Sequence, residues 1–315
     1  MKHIVITGSL AFDYIMDFPG SYADNILPDK IKTLSVSFLV KNLNKNFGGT
    51  AGNIAYTLAL LHKKSTIVSS AGEKDFDEYL AHLKKVGIDT TAIKRVTNEY
   101  TATAYIMTDK DNCQIAGFYP GAMLHDEVLT IGDSIDFLVA APTTPKAMEQ
   151  FIQQAKAKKV AYLYDPAQAL ALSTPEQLKK GITGAEIVIG NDYEIALILE
   201  RTRLSKEELL SNANILITTL GDKGSSIETK DKKIDIGIVK VKKVTDPTGA
   251  GDAYIAGFVA GYTRQLPLQI CGQLGATAAS FAIEAYGTQN HTFTKEAFND
   301  RYKESFKGDS FILRI

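Results

Sequence analysis

An α/β fold, with a parallel sheet covered by helices on both faces and a smaller sheet beside it, is predicted by two features of the 315-residue chain. From Ser134 onward, short β-forming runs at 135–140, 160–164, 186–189 and 214–219 alternate with helical patterns at 145–157, 175–182, 191–200 and 205–211. Such alternation belongs to βα units whose strands are buried on both faces. Separately, Thr101–Met107 and Gln114–Tyr119 flank the polar turn Asp109-Lys110-Asp111-Asn112 and read as a hairpin. With an alternating, β-rich run at Thr33–Val40 they would form the small sheet.

The remaining elements follow in order. His3–Thr7 is a short buried strand closed by Gly8 and Ser9, Ser65–Gly72 is another, and Asp75–Val86 is a helix ending at Gly87. Beyond Gly224 a hairpin pattern runs to 239, and Leu266–Ala285 is a helix rich in Ala and Gly that ends at Gly287. Ala253, Gly257 and Gly261 share one stripe of the preceding helix, as close helix packing requires. The expected division assigns 1–12, 50–98 and 124–315 to the main body and 13–49 and 99–123 to the small sheet.

Composition narrows the function classes. The chain is 45% hydrophobic and 23% charged, as soluble globular proteins are. A net charge of −1 argues against a general affinity for nucleic acid or an anionic membrane, so a small molecule is the expected partner. Two cysteines, Cys113 and Cys271, have no ligand-like spacing to the five histidines, which argues against zinc and a disulfide scaffold. The start MKHIVITG reads as strand and turn rather than signal peptide, and no apolar run approaches the ~20 residues of a membrane helix. A cytoplasmic location is expected.

The chemistry-bearing stretch is TDPTGAGDAYIAGFV, Thr245–Val259, which follows a β-like run at Ile236–Val244 and opens a helix. Gly249 and Gly251 let the backbone turn its amides outward, and the helix N-terminus adds partial positive charge, which together make an anion site. Asp252 would weaken such a site unless it takes a proton from a group attacking the anion, which points to phosphoryl transfer to a hydroxyl. A cap or dipole partner is the ordinary alternative for an Asp in a first helical turn. Other parts match the chemical reading. Asp13 sits just beyond the first strand, placed to accept from vicinal hydroxyls. The loop NFGGTAGN, 46–53, brings Gly48, Gly49, Gly52 and Asn53 to a helix start, where close approach to an acceptor substrate is possible. Neither G-x-x-x-x-G-K nor G-x-G-x-x-G occurs. Asp165, Pro166 and Gln168 follow one strand; Asn191 and Glu194 follow another at i, i+3, a spacing that serves a helix cap or a hydrated Mg2+ equally. Gly221 and Gly224 permit backbone approach after the strand ending at Thr219, and Tyr105, Phe118 and Met123 give the small sheet an aromatic face.

DPTGAGDAYIAGFV at 246–259 resembles the carboxyl-terminal signature of the PfkB, or ribokinase-like, carbohydrate kinases, and GGTAGNIA at 48–55 resembles their amino-terminal one. Asn191 with Glu194 matches the family's N-x-x-E motif, and all three occur in the family's order. His62 stands where Gly or Ser usually ends the first signature's helix. Within the family the likeness is greatest to bacterial adenosine kinases, in the segments GSLAFDYIMDFPG, SVSFLVKNL, FYPGAM, DPAQ and GNDYE. The resemblance implies a three-layer α/β/α sandwich with a β-sheet lid, ATP and Mg2+ as cofactors, a monovalent cation such as K+ as a further candidate, and phosphorylation of the 5′-hydroxyl of adenosine to AMP. It implies Asp252 as general base and the amides of Gly249, Ala250 and Gly251 as anion hole. Ser9, Asp13, Gly49 and Asn53 would hold the nucleoside, with Tyr105 and Phe118 sandwiching the base and Met123 and Gln168 nearby. Asn191, Thr219, Gly221, Gly224 and Thr248 would hold ATP, and Asn191 with Glu194 the metal through water. Tyr105 stands where Phe is expected and Ala169 where a second Gln is. Another nucleoside such as inosine or guanosine, or a sugar such as ribose or fructose, is the alternative substrate. A sensor that has lost catalysis would need neither Asp252 nor the Asn191 and Glu194 pair. A second copy is a candidate cover for an exposed lid face.

Overall fold

The computed structural model describes residues 3–111 and 113–306, and every element below lies among them. The main sheet has nine strands. β1 (Ile4–Thr7) lies parallel between β4 (Ser65–Gly72) and β8 (Phe137–Ala140), and β5 (Ile93–Val96) closes the edge beside β4. Beyond β8 come β9 (Ala161–Tyr164), β10 (Ala185–Asn191) and β11 (Ala213–Thr219), all parallel. β12 (Ser225–Glu228) and β13 (Lys233–Ile236) finish the sheet as antiparallel strands.

The inner parallel strands β1, β8, β9 and β10 are mostly apolar because helices cover both faces, and the period of two sends alternate residues to opposite cores. Ile4, Ile6, Phe137, Val139, Ile187 and Ile189 face one core, under α2 (Thr50–Leu60), α3 (Asp77–Lys85), α8 (Ala250–Tyr262), α9 (Leu268–Ala282) and α10 (Lys295–Phe306). Val5, Leu138, Ala140, Val188 and Leu216 face the other, under α4 (Pro145–Ala157), α5 (Pro175–Ile182), α6 (Asp192–Thr202) and α7 (Lys206–Asn212). Each fully buried Ile, Leu or Phe contributes about 1.5–3 kcal/mol of transfer free energy. Local chemistry starts the helices where the sequence indicates. Thr144 accepts from the Ala147 amide with Pro145 at the first position, and Thr174 with Gln177 and Ser205 with Glu208 form reciprocal caps. Among the described residues no helix is long and apolar enough to cross a membrane.

The second sheet has the order β3-β2-β6-β7, with β2 at Ala11–Asp17, β3 at Asn42–Gly48, β6 at Ala102–Thr108 and β7 at Gln114–Tyr119. The expected strand at 33–40 is not one. Pro28–Thr33 is a 3-10 turn with Pro at its start, and residues 34–40 form no strand and are mostly exposed, Phe38 and Val40 being half-buried. The strand lies later, in the β-poor stretch NLNKNFG, because pairing along all of β2 outweighs propensity there. The connecting segment is fastened by an aromatic cluster of Phe18, Tyr22 and Phe38 and by Asp109, which accepts from the amide of Tyr22 at the start of the short α1 (Tyr22–Asn25).

The chain passes between the sheets twice at one spot. It leaves β1 through Ser9 and Leu10 into β2, and returns from β3 through Gly49 into α2. Gly49 has φ +84°, and a Cβ there would lie 2.5 Å from the Ser9 carbonyl oxygen and 2.6 Å from the Ala11 nitrogen. Only glycine fits where these crossings touch.

Candidate active site

Asn191 and Thr219 end two neighbouring parallel strands, and Asp165 directly follows a third, so all three stand at the carboxyl edge where open α/β sheets bind ligands. They line a cleft of about 210 Å3 together with Gln168, Glu194, Gly249, Gly251 and Asp252. A second cavity of about 570 Å3 adjoins it at Thr219 and Gly251. Ile238, Val239, Val241, Val244, Ala276, Ala279 and Ile283 give the second cavity apolar walls, and Gly221 and Gly224 lie at its rim. The run Ile236–Val244, expected as a strand before the glycine turn, leaves the sheet at Ile236 and becomes a wall of this cavity. Ile238, Val239, Val241 and Val244 have no strand partner and line the cavity instead.

Gly249 caps α8 with φ +77°, and Asp252 sits in the first turn. Asp246 fixes the approach by accepting from the amides of Thr248 at 2.9 Å and Gly287 at 3.0 Å. Of the three amides expected to hold an anion, that of Ala250 is spent on the Pro247 carbonyl at 3.2 Å. Gly249 and Gly251 remain as donors lining the cleft, and a Cβ on Gly251 would meet only open space. Thr248 is exposed on the turn and lines neither cavity.

Acids crowd this floor. Burial, with Asp13 and Glu194 nearby, raises the Asp252 pKa to about 7 although Asn53 Nδ2 donates to its Oδ2 at 2.8 Å. Burial and Asp246 raise Asp13 to about 6, while burial, Glu194 and Asp252 push Asp165 well above the ordinary carboxylate range. Such an acidic floor favours a cation. Asn191 and Glu194 form a reciprocal cap, in which the Asn191 amide donates to Glu194 Oε2 at 2.7 Å and Asn191 Oδ1 accepts from the Glu194 amide at 2.8 Å. Among the described residues no three acidic, Cys or His side chains are placed to hold a metal directly. The donor set therefore fits a hydrated Mg2+ reached through water better than a protein cage.

The substrate residues expected from sequence separate. Asp13 lies against Gly48, where a Cβ would come 2.2 Å from its Oδ2. Ser9 is spent on fold: its carbonyl accepts from the Ala51 amide at 3.0 Å and its Oγ from the Thr50 amide at 3.1 Å. Asn53 is engaged by Asp252 on one side and by Gln289 on the other. Gln168 lines the cleft, and Met123 is half-buried in the turn after β7. Tyr105 and Phe118 cannot sandwich one ring. Phe118 pairs with Ala104 and so shares a face with Asp13 and Asn46, whereas Tyr105 pairs with Tyr14 and stacks on it at 5.3 Å on the opposite face. Paired residues share a face and consecutive residues alternate, so of the two rings Phe118 is the one on the Asp13 side. Asp165, which the sequence marks by its position after a strand, joins the acidic floor, whereas Thr50, Tyr79 and Gln289 carry no local signal.

A model of the pfkB family of carbohydrate kinases matches residues 1–295. The chain belongs to this family. A nucleoside kinase of Methanocaldococcus jannaschii is 32% identical over 307 residues, covering 96% of this chain and 98% of the relative. The structure of a Burkholderia thailandensis nucleoside kinase in complex with inosine superposes with a TM-score of 0.89 at 31% identity, covering 97% and 98% of the two chains. The same protein with ADP-inosine gives 0.86 at 32%, covering 97% of this chain and 96% of that one. A Thermotoga maritima ribokinase, at 23% identity and a TM-score of 0.80 over 96% of this chain and 100% of its own, shares the fold. The fold is ribokinase-like, a large mixed sheet with helices on both sides and a smaller sheet beside it.

Proposed function

We propose that the chain is an ATP-dependent nucleoside kinase that phosphorylates the 5′-hydroxyl of a purine nucleoside, adenosine being the first candidate. The observation that carries the reading is the placement of Asp252, held by Asn53, beside the Gly249 and Gly251 amides where the two cavities meet. One Asp252 oxygen is bound to Asn53, and the other is left to accept the hydroxyl proton as the oxygen attacks phosphorus and ADP leaves. The glycine amides and the α8 N-terminus oppose the charge on the transferred group. Asp13, raised only to about 6, is ionised at neutral pH and accepts from the ribose hydroxyls, while Phe118 and Met123 cover the base. The apolar cavity takes the donor's adenine, with its phosphates directed to Thr219 and Gly251. Asn191 and Glu194 would hold Mg2+ through water, and the ion, when bound, neutralises phosphate charge. A lid of 13–49 and 99–123 over the catalytic body would exclude water on closure.

Inosine is the second reading, favoured by the inosine bound to the Burkholderia relative. A panel of adenosine, inosine, guanosine, ribose and fructose with ATP tests both. Turnover of nucleosides and not of free sugars is expected, and turnover confined to ribose or fructose would refute the reading.

The lid faces give a second test. Phe118→Ala is expected to raise the nucleoside KM several-fold with kcat little changed. Tyr105→Ala loses the stack on Tyr14, about 0.5–1.5 kcal/mol of stability, and leaves KM unaltered. Equal KM effects from both would contradict the assignment of faces.

A further inference from the structure

Gln289 follows the Gly287 turn, is 3% exposed, and bonds to side chains of both α2 and α3. The sense of each bond follows from which partner can donate. Burial holds the Tyr79 pKa far above its ordinary value, so its hydroxyl keeps one proton, and that proton goes to the Gly48 carbonyl at 2.7 Å. The Tyr79 oxygen must then accept, so the group 2.5 Å from it is the Gln289 amide nitrogen. The Gln289 oxygen is left to accept from His82 Nε2 at 3.1 Å. The same Gln289 nitrogen donates to Asn53 Oδ1 at 3.0 Å, and with that oxygen occupied Asn53 can present only its amino group to Asp252. Gly52 makes the room: a Cβ there would lie 1.9 Å from the Tyr79 hydroxyl and 2.9 Å from the Gln289 nitrogen.

We propose that Gln289 is a positioning residue for phosphoryl transfer, fixing the amide sense of Asn53 so that a donor holds one oxygen of Asp252 and the other stays free for the substrate hydroxyl. The assignment rests on Asp252 as the general base. Were Asn53 turned over, its oxygen would face the carboxylate, and the two acceptors would repel one another out of line with the acceptor hydroxyl. The chain of bonds reads from a backbone carbonyl that can only accept, Gly48, to a carboxylate that can only accept, so each amide between has one consistent orientation.

Gln289→Glu and Gln289→Met separate positioning from simple packing. Glutamate keeps length and can pair with His82, which takes up a proton to meet it, so the variant stays folded; but its carboxylate has no hydrogen for Asn53, whose amide turns over. Methionine keeps the bulk, loses every bond, and leaves Asn53 free to take either sense. At saturating nucleoside and ATP, Gln289→Glu is expected to lower kcat by about 10–100-fold, the scale of a misplacement near 1 Å, and Gln289→Met by less. Thermal unfolding should rank them the other way, with Met the less stable, and the nucleoside Kd from calorimetry should move less than kcat in both. A side chain that only pins α3 to the 287–290 segment would give kcat the same order as stability, and that result, or wild-type kcat in both variants, overturns the proposal. Should Gln289→Glu not fold, Gln289→Met decides alone: kcat lowered more than Kd supports the assignment, and kcat unchanged refutes it. Absence of nucleoside turnover in the unaltered enzyme would instead overturn the kinase reading beneath it.

Discussion

Asp252→Asn is expected to lower kcat by about 10²–10⁴-fold or more, the range of general-base catalysis, while nucleoside affinity holds within a few-fold. The substitution keeps shape but removes the atom that receives the proton. Sign follows from the raised pKa. A base must be unprotonated, and Asp252 titrates near 7, so wild-type turnover should climb as pH rises through that value and level off above it. The variant should lose this limb. Stability runs opposite to activity here: ionising a buried carboxyl raised from 3.8 to about 7 costs the fold, and that cost grows as pH rises between the two values. At pH 8 the neutral variant should therefore unfold at no lower temperature than wild type. Rapid-quench assays across pH 5.5–9 with parallel melting curves check both halves, and near-normal turnover would contradict the assignment of the base.

Why Asp252 was legible in sequence and Gln289 was not is a matter of range. Gly249, Gly251 and Asp252 act through one helix start, so spacing alone displays the anion site and its misplaced acid. Gln289 acts through Asn53 and Tyr79, far away in the chain, and nothing local to Thr288-Gln289-Asn290 distinguishes it from a loop. The same contrast divides the fold. The strands from 135 onward and helices such as 145–157 and 175–182 were readable because each is buried on its own periodicity. β3 was misplaced because Asn42–Gly48 is a strand only by virtue of β2 beside it. The run at 236–244 misled in the reverse direction: its apolar residues are spaced like a strand but line a cavity. The family resemblance set Tyr105 and Phe118 on either side of one ring, and the register of β2, β6 and β7 sends them to opposite faces.

Gly257→Ala is the second large effect. A methyl at Gly257 would stand 2.4 Å from the carbonyl oxygen of Leu274, 2.7 Å from its carbon and 2.8 Å from Gly275 Cα. All three are backbone atoms of α9, so no rotamer relieves the clash and one helix must move. Overpacking of this kind costs about 3 kcal/mol or more, against about 1 kcal/mol gained by replacing a helical glycine with alanine. Urea unfolding should show a lower midpoint at unchanged slope. Activity should fall further than the folded fraction, because α8 carries Gly251 and Asp252 at its first turn, and a helix pushed from α9 displaces the base from Asn53. Gly237→Ala is the matched control. A Cβ there meets nothing within 4 Å, and that substitution should stay within about 0.5 kcal/mol of wild type. If Gly257→Ala behaved like it, the close approach of α8 and α9 would not be what holds the catalytic helix in place.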